Sequence, residues 1–117
     1  FANGLPSIQV DPEQVKEALM NLLINAREAM PEGGTLTLTT RAGQDSEVEI
    51  EVADTGNGIA PEHLSRIFEP FFTTKAYGTG LGLTNVKRLV EDNGGTLVVN
   101  SNAGAGTSFT LRFRAAG

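Results

Sequence analysis

Residues Glu47 to Asp54 alternate without a break, with Val48, Ile50 and Val52 on one side of an extended chain and Glu47, Glu49 and Glu51 on the other. A period of two marks a strand that is buried on one face and wet on the other. Sheets built from such strands favour antiparallel pairing, because parallel sheets bury both faces. The apolar face must then be roofed by another layer. Thr35 to Arg41 alternates in the same way around Leu36 and Leu38. So do Thr96 to Ser101 around Leu97 and Val99, and Thr107 to Arg114 around Phe109, Leu111 and Phe113.

The roof is also written in the sequence. Asp11-Pro12-Glu13-Gln14 is a helix start, with a capping carboxylate, a proline at the first helical position and a glutamine placed to complete a capping box. Val15, Ala18, Leu19, Leu22, Leu23, Ala26, Ala29 and Met30 then recur at three- and four-residue spacing up to Pro31, giving one broad apolar stripe. A last helix is predicted around Leu83, Val86, Leu89 and Val90. It ends at Asn93-Gly94-Gly95, where glycine can take the left-handed cap. A short helical turn is predicted near Pro61 to Ile67, inside a long glycine-, proline- and threonine-rich stretch between Thr55 and Gly82. Loops of that length usually serve function. The expected class is α+β, with helices covering one face of a mostly antiparallel sheet.

With 117 residues the chain fits one domain, residues 1–117, and its 39% hydrophobic and 20% charged residues are ordinary for a packed globular protein. It has no cysteine, which removes disulfide, thiolate-metal and thiol-redox chemistry. The formal charge of −5 argues against nucleic acid as a partner. No apolar run approaches the roughly 20 residues a membrane helix needs, and no signal-peptide pattern opens the chain.

Several constellations carry chemistry. Asn21 and Asn25 stand on the long helix at the shoulder of its apolar stripe. A side-chain amide there can give a neutral oxygen ligand to a hard cation such as magnesium, or bond to loop backbone. Asp54-Thr55-Gly56-Asn57-Gly58-Ile59 follows the most regular strand. A carboxylate at a strand end can accept from an exocyclic amine such as that of adenine, and glycines allow close backbone approach, although the same residues also make a plain turn. Gly78-Thr79-Gly80-Leu81-Gly82-Leu83 feeds a helix N-terminus suited to phosphate. It lacks the Lys-Ser/Thr ending of a P-loop and does not follow a strand in a βαβ unit. Phe68, Phe71 and Phe72 should anchor their loop or present a docking patch. Lys75 beyond them is in reach of a phosphate or simply solvated.

In order, Asn21 to Ala26, Asp54 to Gly58, Phe68 to Phe72, Gly78 to Gly82 and Gly104-Ala105-Gly106-Thr107 resemble the N, G1, F, G2 and G3 boxes of bacterial sensor histidine kinases. The resemblance spans nearly the whole chain. It implies the Bergerat-type ATP fold, a two-layer α/β sandwich with a mixed, mostly antiparallel sheet, shared with gyrase-type topoisomerases, mismatch-repair ATPases and heat-shock chaperones. By that resemblance Asp54 would bind the adenine amine, with Gly58 and Thr107 lining the base pocket and Gly56 and Ile59 also among the ATP-binding residues. Asn25 would hold Mg2+, and Asn21 would assist catalysis near the phosphates. Thr79, Gly80, Leu81 and Gly82 would close over the phosphates of ATP, and Lys75 would reach a phosphate. One departure is Glu28, where many members carry a lysine; Arg27 or Lys75 are possible substitutes.

The activity so implied is transfer of the ATP γ-phosphoryl group to a histidine on a separate dimerisation domain, then to a response regulator. Gyrase- and chaperone-type members carry a water-activating glutamate where this chain has Asn21, and an amide cannot be such a base. A stand-alone ATPase, a serine-directed regulator kinase of the same fold and a non-catalytic nucleotide sensor remain alternatives at the level of sequence. The histidine-bearing dimerisation domain is expected to be absent from this chain, whose one histidine, His63, reads as a surface residue of a short turn. The domain is expected to be monomeric by itself, cytoplasmic and without direct membrane contact, whether or not its parent is anchored.

Overall fold

The computed structural model describes residues 10–42, 47–59, 61–64, 66–69, 82–102 and 104–114. Along the chain they form α1 (Pro12–Ala29), β1 (Leu36–Ala42), β2 (Glu47–Asp54), α2 (Pro61–Leu64), α3 (Gly82–Asp92), β3 (Thr96–Asn102) and β4 (Gly106–Arg114). The strands make one sheet in the order β1-β2-β4-β3, and every described pairing is antiparallel. The architecture is the expected α+β sandwich.

The register explains the core. Val52 faces Phe109, Ile50 faces Leu111 and Val48 faces Phe113, so the apolar halves of the two central strands share one face. Ala18 and Leu22 of α1 and Val86, Leu89 and Val90 of α3 close over that face. Phe109, Phe113, Leu22 and Leu111 are among the fully buried side chains. Truncating any of them would cost about 2–5 kcal/mol by lost transfer free energy and cavity formation.

The roof is incomplete over the edge strand. Leu36 and Leu38 lie on the apolar face yet are 43% exposed, because α1 packs on β2 and α3 rather than on the edge strand β1. Leu38 borders an apolar groove of about 440 Å³ with Val10, Val15, Leu19, Met20 and Leu23 of the α1 side.

The ends of the helices are tied to each other. The Asp11 carboxylate caps α1 by accepting from the backbone of Glu13 at 3.0 Å and of Gln14 at 3.4 Å. The sequence predicts Gln14 as the reciprocal half of a capping box. Instead its Oε1 accepts from Asn93 Nδ2 at 2.9 Å, and the Asp11 backbone N–H donates to Asn93 Oδ1 at 2.7 Å. Asn93 is better placed because the α3 terminus comes to rest beside the α1 start. Its Nδ2 also reaches the Leu89 carbonyl at 2.8 Å. Gly94, at φ 75°, supplies the predicted left-handed cap, and Gly95 N–H donates to Val90 O at 2.9 Å.

The opposite face of the sheet is polar and cross-linked. Glu49 accepts from Arg41 at 2.8 Å on β1 and from Arg112 at 2.7 Å on β4. Glu51 accepts from Ser108 at 2.6 Å and from Arg41 at 3.1 Å. The Ser108 hydroxyl first, and Arg41 second, hold the Glu51 carboxyl below its ordinary range. A depressed folded-state pKa means that this stabilisation is complete above the ordinary value near 4.5 and is lost as pH falls through the folded value. Glu51→Gln should therefore lower stability by about 0.5–1 kcal/mol at pH 7, and the gap to wild type should close in urea melts taken at progressively more acidic pH below 4.5.

Candidate functional site

Three strands each end, on the apolar face, in a polar residue. Asp54 follows Ile50 and Val52 on β2, Thr107 precedes Phe109 on β4, and Ser101 follows Leu97 and Val99 on β3. The pairings Asp54↔Thr107 and Thr107↔Ser101 set the three in a row across the sheet. Asp54 is 9% exposed and Thr107 6%. A carboxylate so placed must be hydrogen-bonded, and its Oδ1 accepts from the Gly56 N–H at 2.8 Å.

The backbone beyond Asp54 is pressed against the end of α1. A Cβ on Gly56 would run into the Ala29 carbonyl oxygen and come within 2.9 Å of Ala29 C and Cβ, so only glycine fits. The next residue uses the same carbonyl: Asn57 N–H donates to Ala29 O at 3.1 Å, satisfying one of the acceptors that a helix C-terminus leaves open. On the other side Gly106, at φ 114°, lies so close to the Asp54 carbonyl that a Cβ would collide with it. Gly104 N–H reaches Asn57 O at 2.6 Å, tying the β3–β4 turn to the same segment. Gly58 is also left-handed, at φ 72°, and Ile59 packs against the core.

Asn21, Asn25 and Ala29 stand at i, i+4 spacing, one row along α1 that ends at the Gly56 contact. At 1.5 Å per residue, Asn25 lies about 6 Å and Asn21 about 12 Å along the helix axis from Ala29. Both amides are half-buried. Arg27 and Glu28 in the last turn are exposed. Gly82 opens α3, whose first turn carries no acidic residue. Phe68 packs on the core, its carbonyl accepts from Thr84 Oγ1 at 2.9 Å, and Lys87 Nζ stands 5.6 Å from its ring centroid. Lys75, Thr79, Gly80 and Leu81, with Phe71 and Phe72, lie outside the described residues. His63 is in α2 and half-buried rather than fully exposed. Among the described residues no helix is long and apolar enough to cross a membrane.

The site thus has an acidic floor at the sheet end, a glycine-lined wall and a row of amides leading away along α1. Residues 10–117 match the profile of the histidine kinase-, DNA gyrase B- and HSP90-like ATPases. The chain belongs to this family. Among family members, the sensor histidine kinase ZraS of Escherichia coli (strain K12) is 47% identical over 107 residues, covering 92% of this chain and 23% of ZraS. The chain therefore spans about a quarter of the length of such curated relatives. The mycobacterial sensor histidine kinase MprB superposes with a TM-score of 0.80 at 31% identity, over 93% of this chain and 78% of that one. The full-length structure of ShkA in complex with AMPPNP superposes with a TM-score of 0.82 at 37% identity, over 97% of this chain and 24% of that one.

Sequence reasoning missed Ser101, although a signal exists: a hydroxyl stands where the Leu97, Val99 alternation demands an apolar residue. It also missed Ala29 as the seat of Gly56. Gly56→Ala should lower stability by more than about 2 kcal/mol, since backbone rather than a flexible side chain blocks the new methyl. Gly82→Ala, where a Cβ meets nothing within 4 Å, should stay within about 0.5 kcal/mol of wild type, and urea unfolding of both variants measures the contrast.

Proposed function

We propose that this domain binds ATP with magnesium and transfers the γ-phosphoryl group to a histidine on another domain of its parent protein, the first step of a two-component relay that ends on a response regulator. The observation that carries the reading is Asp54, a buried carboxylate at a strand end, aimed by Gly56 and backed by Thr107. Its one hydrogen bond among the described residues uses Oδ1, and a purine 6-amine is a fitting donor for the remaining acceptor capacity. Gly56, Gly58, Ile59 and Thr107 would line the base.

Asn25, one turn before the Gly56 contact, would offer its amide oxygen to magnesium. That donor suits magnesium, which keeps several waters and takes other ligands from phosphate oxygens. When bound, the ion would neutralise charge on the triphosphate. Asn21, a further turn away, would orient the terminal phosphoryl group. Gly82 with Thr79, Gly80, Leu81 and Lys75 would close over the phosphates, and the α3 N-terminus adds its dipole to that end.

The transfer requires no base from this domain. A neutral imidazole attacks phosphorus with its own ring-nitrogen lone pair, the bond between the γ-phosphorus and the bridging oxygen breaks, and ADP leaves with that electron pair. Water, by contrast, needs a base, and an amide at Asn21 cannot serve as one. This departure from the family's ATPases, together with the likeness to sensor histidine kinases, favours a kinase over a hydrolase.

Calorimetry should find ATP bound with magnesium by wild type, and binding about 10–100-fold weaker in Asp54→Asn, as expected for loss of a charged hydrogen bond; equal binding would overturn the reading. With γ-labelled ATP the domain by itself should leave His63 unlabelled, and label should appear on the parent's histidine-bearing domain when that is added.

A further inference from the structure

Ser101 closes the polar row on its β3 side, next to Thr107. Its Oγ receives the Ile59 backbone N–H at 2.7 Å, lies 3.1 Å from the Gly106 carbonyl oxygen, and lies 2.8 Å from Thr107 Oγ1. These three contacts can be made together in only one way. A backbone N–H only donates and a carbonyl only accepts, so the single Ser101 proton goes to Gly106 O. The bond between the two hydroxyls must then be donated by Thr107.

The consequence is a fixed polarity. With its proton turned towards Ser101, Thr107 presents only lone pairs on its remaining surface. Asp54, its cross-strand partner, is an acceptor as well. We infer that Ser101 is a specificity-determining residue that holds the Thr107 hydroxyl as an acceptor, making the base pocket select purines with an amine donor at the 6-position over purines with a carbonyl there. The inference rests on the nucleotide-binding reading above and deepens it. Ser101 acts through Thr107, so it is a positioning residue. Through Ile59 it also fastens the segment after Asp54 to β3.

The two roles are separable. Loosening the Ile59 segment weakens every nucleotide alike and leaves their ratio unchanged. Releasing the Thr107 hydroxyl lets it rotate and donate to a 6-carbonyl, which changes the ratio. ATP and ITP differ at this position in the required way. Calorimetry on wild type should give an ATP preference over ITP of at least about tenfold, and Ser101→Ala should reduce that preference by at least about fivefold, the scale of one hydrogen bond. Ser101→Thr, which keeps the oxygen, should retain the preference. Added to a Thr107→Val background, where no hydroxyl remains to turn, Ser101→Ala should leave the ATP-to-ITP ratio unchanged, and this non-additivity is the direct signature of the coupling. If Ser101→Ala melts below the assay temperature, the near-isosteric and weakly hydrogen-bonding Ser101→Cys carries the same expectation. A wild-type domain that bound no ATP would overturn the functional reading and this inference with it. A wild type that binds ATP, with an unchanged ATP-to-ITP ratio in Ser101→Ala or an equal loss when Ser101→Ala is added to Thr107→Val, would overturn the inference alone.

Discussion

The carbonyl of Ala29, at the end of the first helix, lies against the backbone leaving the second strand, and the site depends on that contact. Gly56 exists there because no side chain fits, and Asn57 uses the same oxygen. Once the strand exit is pinned, the Asp54 side chain turns back to receive Gly56 N–H, and its orientation is settled by backbone alone. The amide row of α1 is placed by the same contact, because Asn25 and Asn21 follow Ala29 at fixed helical intervals. Helix and sheet are thereby registered at the point where the two kinds of functional group meet.

A second constraint is the way the apolar face ends. A strand buried on one face normally stops being apolar where the roof stops. Here β2, β3 and β4 turn polar at the same level, and the antiparallel register brings Asp54, Thr107 and Ser101 side by side. Buried polar groups of this kind are stable only when satisfied, and no buried side-chain nitrogen or oxygen among the described residues lacks a partner. The core and the pocket floor are one surface whose chemistry changes along its length.

Much of this was legible in the sequence. The period-two runs fixed the strands to within a residue or two, and the capped stripe from Asp11 to Met30 fixed α1, because both depend on neighbours close in the chain. Asp54, Gly56 and Thr107 were readable as a set through family motifs. What escaped depends on distant partners. Ser101 meets an N–H 42 residues earlier, and Gln14 finds Asn93 79 residues later rather than its own cap. The exposure of Leu36 and Leu38 also escaped, since alternation reports which side of a strand is apolar but not how far a helix reaches across the sheet.

The Asn93 side chain joins the start of α1 to the finish of α3 through three hydrogen bonds, one of them to the backbone N–H of Asp11. Two helices fastened at one pair of ends and packed along their lengths behave as a single plank. Their opposite ends are the last turn of α1, to which the amide row leads, and the α3 N-terminus. A guest molecule resting against those ends would therefore meet two helices whose relative placement is already fixed.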